Sequence, residues 1–259
     1  MQQFTMQQKQ QALTKQLKDL TELLEKEHIN YFVSSGSCLG VIRHGGFIPW
    51  DDDIDILMFR EDYEKFLSLK PEEPYFIAKP GDEGNIFPFA KFYNKNIEII
   101  EPYSTKKYAE SYLYVDVFPL DYMPENDIER AKLIKKASKL RHGVSHILIE
   151  GNTPLKRLIK NALRLFRGDR ALKRMNRKLD NLGLRQKTAY CMDLVWGNKC
   201  VKTEYFDNYE VREFEGVPVR IPADWNAYLT DVYGDYMKLP PEEDRYTHGL
   251  IAFYADGRK

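Results

Sequence analysis

The sequence predicts an α/β (α+β) protein, a mixed sheet flanked by helices, carrying a basic helical insertion and a C-terminal extension. Three observations predict it. Short β-branched and aromatic runs alternate with helical periodicities through roughly the first half of the 259 residues. A cation-rich stretch of helical pattern, 129–187, then holds 18 Lys and Arg against 4 Asp and Glu. Beyond it the chain returns to strand and turn signals. The division expected is a core over 1–125, a basic helical region over 126–190, and an extension over 191–259 that packs on the core.

Residues 7–27 set Leu13, Leu17, Leu20, Leu23 and Leu24 at helical spacing, a helix with one apolar face. INYFVSS (29–35) reads as a buried strand, closed by Gly36-Ser37, which opens a short helix through CLGVIRH. DIDILMF (53–59) is the next strand and REDYEKFLSL (60–69) a helix stopped before Pro71. PYFIAK (74–79), FAKFYN (89–94), IEII (97–100) and YLYVDVF (112–118) read as further strands. Asp127 to Arg141 reads as a helix. A second takes Thr153 as N-cap and Pro154 as its first residue and ends before Gly168. Lys156, Arg157, Lys160, Arg164 and Arg167 fill much of that helix's polar side. YEVREFEGVPVRI (209–221) reads as a hairpin turning at Glu215-Gly216.

Apolar residues at 43% and aromatics at 13% suffice for a core and exclude global disorder. Cys38, Cys191 and Cys200 have no zinc-ligand spacing and suit a reducing compartment. The opening MQQFTMQQKQ lacks the apolar centre of a signal peptide, and no run approaches the ~18 apolar residues of a membrane span. The expectation is a cytoplasmic protein. Formal net charge is zero, yet outside 129–187 the balance is 21 Lys and Arg against 35 Asp and Glu. Such asymmetry leaves two readings of the basic helices. One is amphipathic helices packed on the core with a solvated cationic face. The other is a surface drawn to anionic lipid headgroups or a pyrophosphate-linked lipid acceptor, a peripheral contact at the inner face of an anionic membrane. The stretch lacks interleaved stacking aromatics, Phe166 excepted, so no nucleic acid is expected. His142 and His146, four apart, have no acidic or cysteine company and read as surface residues.

The chemistry concentrates in GFIPWDDDIDILMF, ending at Phe59. Strand alternation points Asp53 and Asp55 one way and Ile54 and Ile56 into the core. Two such carboxylates cannot both ionise cheaply, so one takes up a proton or a cation sits between them. Oxygen donors select a hard cation, Mg²⁺ or Mn²⁺, which substrate phosphates usually help to coordinate. Asp116, between Val115 and Val117, is a third acid of the same kind. Together the three could hold two metals clamping a displacement at phosphorus. A solvated loop would account for Asp51 and Asp52 but not for the alternation. A calcium loop would need glycine at Ile56 and glutamate at Asp62. Gly36-Ser37, at the start of a helix, suits a phosphate.

The order strand, Gly-Ser, short helix, DIDI strand, VDV strand is the layout of the nucleotidyltransferase fold superfamily. SGSCLGVIRHGGFIPWDDDIDI, VDVFPLDYMP and YLTDVYGDYMKLPPEEDRYTH resemble the LicD family, over about residues 20–125 and 205–250. That family transfers phosphocholine from CDP-choline to cell-surface glycans, and fukutin-related members handle CDP-ribitol. The resemblance implies Asp53, Asp55 and Asp116 as catalytic metal ligands, Gly36 and Ser37 as the phosphate-proximal turn, and Arg43, His44 and Lys91 as donor-binding residues. Where the family commonly has threonines, this chain has NIEII, a departure around Asn96 to Glu98. The implied reaction passes a phospho-alcohol from a CDP-alcohol to a sugar hydroxyl of a glycan or its lipid-linked precursor, releasing CMP. Choline would need aromatic faces. The chain's 17 tyrosines, Tyr108, Tyr112, Tyr114 and Tyr122 among them, permit this without deciding between choline and a polyol. Two rival expectations are NMP transfer from an NTP with the same acids, and an inactive glycan-binding scaffold.

Overall fold

The computed structural model describes residues 2–82, 85, 87–100, 112–148, 169–197, 199–245, 247 and 249–255, without the side chains of 145–148 and 169. Helix α1 (Met6–Lys26) starts at a capping box, in which Thr5 Oγ1 accepts from Gln8 N and Gln8 Oε1 from Thr5 N. Its leucine face delivers Leu13, Leu17, Leu20 and Leu24 to the core with no exposed surface. Strand β1 (Phe32–Val33) is far shorter than the seven-residue run expected, because helix α2 (Ser35–His44) begins at once. Ser35 makes that switch with φ of 49°, in the left-handed region that non-glycine residues seldom enter.

Strand β2 (Asp55–Phe59) leads into α3 (Arg60–Ser68) and β3 (Tyr75–Ala78). The two runs expected at 89–94 and 97–100 are one strand, β4 (Ala90–Ile100), whose pairing with its neighbour shifts register between Asn94 and Glu98. Strand β5 (Tyr112–Met123) outruns its expected end, and α4 (Asp127–Leu148) likewise runs past Arg141. The second basic helix expected from Thr153, with Lys156, Arg157, Lys160, Arg164 and Arg167, lies outside the described residues, as does Tyr108. Helix α5 (Asp169–Asp180) packs on α4, and a Cβ on Gly143 would stand 2.7 Å from Met175 Sδ.

One mixed eight-stranded sheet organises the protein, with central order β1-β2-β5-β4-β10, where β10 is Ile251–Tyr254. β2 and β5 run parallel and the other pairs antiparallel. β3 also pairs with β4. Strand β6 (Tyr190–Met192) extends β5 and carries β7 (Val201–Lys202). The expected hairpin is present as β8 (Tyr209–Phe214) and β9 (Val217–Pro222). Its two turn residues, Glu215 and Gly216, both take positive φ, as a tight two-residue turn requires. The turn docks on the loop after α2. Glu215 N donates to Gly45 O at 2.9 Å and Glu215 Oε1 accepts from Phe47 N at 3.2 Å. A Cβ on Gly46 would collide with the Glu215 carboxyl, so only glycine permits that approach. Helix α6 (Trp225–Tyr233), N-capped by Asp224, completes the set.

Candidate active site

The parallel pairing of β2 with β5 sets Asp55 directly beside Asp116. Neighbouring strands stand about 4.8 Å apart, so paired side chains on one face lie next to each other. Asp53 precedes the strand rather than belonging to it, yet still reaches the same place, because Ile54 and Ile56 are wholly buried and turn the acids outward. Asp51, Asp53, Asp55 and Asp116 line one cavity of about 660 Å³. Burial first, then the charges of Asp53, Asp116, Asp51 and Asp193, push the Asp55 carboxyl well above the ordinary aspartate range. A concentration of oxygen donors that penalises its own ionisation fits a hard divalent cation. Among the described residues no three His, Cys, Asp or Glu side chains converge as a ready-made cage. Mg²⁺ commonly takes one or two carboxylates and completes its shell with substrate oxygens and water.

The expected donor-binding residues separate into different positions. Gly36 borders the cavity in the first turn of α2, and a Cβ there would stand 3.2 Å from Asp51 Oδ2. Ser37 points the other way, its buried Oγ accepting from Asp55 N at 3.0 Å and so fixing the start of β2. Arg43 lines the cavity, donating from Nη1 to Tyr236 O at 3.1 Å and from Nε to His44 Nε2 at 3.0 Å. Partial burial, and after it the Arg245 guanidinium, lowers the Arg43 pKa. His44 is exposed, and burial and Arg43 together lower its pKa, keeping the imidazole a neutral acceptor. Lys91 was expected at a donor phosphate. It is buried, its Nζ 2.7 Å from Asp116 Oδ1 and 3.3 Å from the Tyr114 ring centroid. Cross-strand register explains this, since Lys91 on β4 faces Asp116 on β5.

Asp52 also differs from a solvated residue. It is fully buried against Lys9 of α1 at 2.5 Å, and Lys9 donates in addition to Leu250 O at 2.9 Å. The acidic loop is thereby tied down between its two cavity-facing neighbours.

Several lining residues escaped the sequence reading. Tyr233, Asp235, Tyr236, Lys238, Leu239 and Asp244 line the same cavity as the acids. Burial, then the charges of Asp55, Cys38, Asp51 and Asp53, raises the Tyr233 hydroxyl pKa. Trp50 and Trp196 add two indoles to the lining. Trp196 is held by Asp193, whose Oδ1 accepts from Val195 N at 2.9 Å and from Trp196 N at 3.0 Å. Asp193 is itself buried, and desolvation pushes its carboxyl up to about 6. The long block containing Tyr233 to Asp244 was legible as a motif, but nothing in it pointed to the acids some 180 residues earlier.

A small mixed sheet presenting paired strand acids beside a helix N-terminus is the arrangement of a nucleotidyltransferase-type domain. The sequence profile described as LicD/FKTN/FKRP, nucleotidyltransferase domain, matches residues 28–148, which hold β1 to β5, all three acids, Arg43 and Lys91. Over that stretch, a little under half of its length, the chain is similar to the LicD family. It is similar to the lipopolysaccharide cholinephosphotransferase LicD of Haemophilus influenzae, at 29% identity across 90% of this chain and 91% of that protein. It is also similar to the ribitol 5-phosphate transferase FKRP of Homo sapiens, at 28% identity over 45% of this chain and 21% of that protein.

Proposed function

We propose that this protein is a phosphotransferase that moves phosphocholine, or a related phospho-alcohol, from a CDP-alcohol to a hydroxyl of a cell-surface glycan or its lipid-linked precursor, releasing CMP. The observation that carries the reading is the Asp55–Asp116 pairing on adjacent parallel strands at the wall of an open cavity, with Asp53 beside it. Support for the substrate class comes from the cholinephosphotransferase relative, aligned along nearly the whole of both chains.

In the proposed step an acceptor hydroxyl oxygen attacks the donor's β-phosphorus. An O–P bond forms as the bond to CMP breaks, CMP leaves with the bonding pair, and the hydroxyl proton is taken up within the carboxylate cluster. Such transfers rest on positioning and charge neutralisation. Asp53, Asp55 and Asp116 would hold Mg²⁺ or Mn²⁺, which supplies neutralisation of the diphosphate oxygens. Gly36 and Arg43 border the cavity where those oxygens would lie. His44 orients Arg43, Ser37 fixes Asp55, and Lys91 balances Asp116. Trp196 and Tyr233 add aromatic side chains to the lining, as a quaternary ammonium would need, while the Trp50 ring already carries the Arg245 guanidinium 5.1 Å from its centroid.

The test is CMP release from CDP-choline, CDP-ribitol, CDP-glycerol and CDP-ethanolamine with Mg²⁺ or Mn²⁺, alongside pyrophosphate release from NTPs. Turnover of a CDP-alcohol is expected, with at least about a hundredfold loss in Asp53→Ala. Wild-type CMP release by that variant would remove the assignment, and pyrophosphate release alone would replace it with NMP transfer.

A further inference from the structure

Helices α4 and α5 carry a feature that phosphoryl transfer does not use. Lys132, Lys135, Lys136 and Lys139 are all exposed and share about 100° of the α4 circumference. That stripe lies opposite the side through which Ala137 and Val144 are buried. Helix α5 repeats the pattern, with exposed Arg170, Lys173, Arg174, Arg177 and Lys178 opposite buried Leu172 and Leu179. Among the described residues, none of these nine cations pairs with a carboxylate. Elsewhere on the surface pairing is usual, as in Lys15–Asp19, Lys65–Glu61, Lys95–Glu73, Arg185–Glu64, Lys187–Asp207 and Lys202–Glu204. Nine like charges on two touching helices repel one another, and an opposing polyanion would relieve that cost.

The two helices are fixed to the body of the protein. Buried Arg60 bridges Asp121 of β5 and Asp180 of α5. Arg141 of α4 donates to Leu194 O at 2.9 Å, and its guanidinium lies where a Cβ on Gly197 would stand. The loop so held carries Trp196, which lines the cavity and is 57% exposed. Helix α4 is therefore anchored, through the side opposite its lysine stripe, to a loop that lines the site. Among the described residues no helix is long and apolar enough to cross a membrane.

We propose that the α4–α5 face docks the protein on an anionic lipid bilayer, bringing the cavity beside a membrane-borne acceptor. A bilayer fits better than nucleic acid, because the exposed face offers cations without aromatic side chains between them to stack bases. Binding to vesicles is read without donor or turnover, so the docking proposal and the transferase reading can fail separately.

The experiment is co-sedimentation of the full chain with phosphatidylcholine vesicles, with and without phosphatidylglycerol, at several salt concentrations. Binding is expected only to the phosphatidylglycerol vesicles, weakening as salt rises. Replacing Lys135, Lys136, Lys173 and Arg174 with Gln should lower partitioning by at least tenfold, and on the order of several hundredfold if each cation contributes fully. Lys15→Gln with Lys202→Gln should bind as wild type does. Circular dichroism and thermal melting check the fourfold variant, and Lys132→Gln with Arg177→Gln gives a smaller, independent loss. No binding by wild type, equal binding by both variant sets, or an equal loss in the Lys15/Lys202 control would each overturn the proposal. Tighter capture by duplex DNA than by anionic vesicles at the same salt would overturn it in favour of nucleic acid.

Discussion

Lys9→Met tests how the acidic loop is held. Lys9 and Asp52 meet at 2.5 Å with side chains 8% and 0% exposed, so solvent screens neither. At an effective dielectric near 20 the gross attraction is about 6–7 kcal/mol, which desolvation of the two ions, several kcal/mol each, largely offsets. Removing one partner is different, because the Asp52 charge stays buried after losing the Lys9 ammonium. The expected loss is about 3–5 kcal/mol of unfolding free energy. Part of it belongs to the Leu250 carbonyl, which also loses Lys9, at about 1–3 kcal/mol. The double variant Lys9→Met/Asp52→Asn should therefore recover about 2 kcal/mol or more, the remainder marking the orphaned carbonyl. Urea unfolding of the four proteins in the cycle gives the coupling energy. A coupling below about 0.5 kcal/mol would refute the buried pair as the loop's fastening.

Asp193 titrates near 6 in the folded protein against 3.8 for the reference aspartate. As pH rises through that window the unfolded chain gives up its proton first, so folding stability falls and stays lower above it. Asp193→Asn should remove this dependence, raising stability by about 2–3 kcal/mol at neutral pH and little in acid, read from urea midpoints across pH. The same slope in variant and wild type would refute it. Ser37→Ala deletes the acceptor for Asp55 N and should cost about 1–2 kcal/mol in unfolding free energy and slow CMP release. Unchanged values for both would remove Ser37 as the brace for β2. Lys91→Met leaves Asp116 without its cation and should destabilise by about 3–5 kcal/mol, with millimolar Mg²⁺ raising the variant's melting temperature more than wild type's. An identical Mg²⁺ response would refute competition between Lys91 and a divalent cation for Asp116.

Local alternation was enough to read the acids, because the burial of Ile54, Ile56, Val115 and Val117 leaves Asp55 and Asp116 only the opposite face. The parallel register that joins them could be expected only from the order of elements. What the sequence hid were relations between distant segments. Lys9 and Asp52 are 43 residues apart, and Lys91 finds Asp116 only through β4–β5 pairing. A lysine near acids reads equally as a phosphate ligand or a counter-charge, and its pairing with Asp116 is visible only through the register. β1 is shorter than the apolar run suggests because Ile29 and Tyr31 are buried without being in a strand. β10 was missed because its four residues gain strand character by pairing with β4.

The cavity has two independent sources. Its acids stand on or next to paired strands inside the sheet, whereas much of the remaining lining comes from 234–244, a stretch that opens with positive-φ Gly234 and contains no β-strand. Under the proposed function, the acids and the rest of the cavity wall can thus diversify at different rates. Exchanging that stretch with a similar protein's would alter the cavity wall while leaving the strand acids where they are.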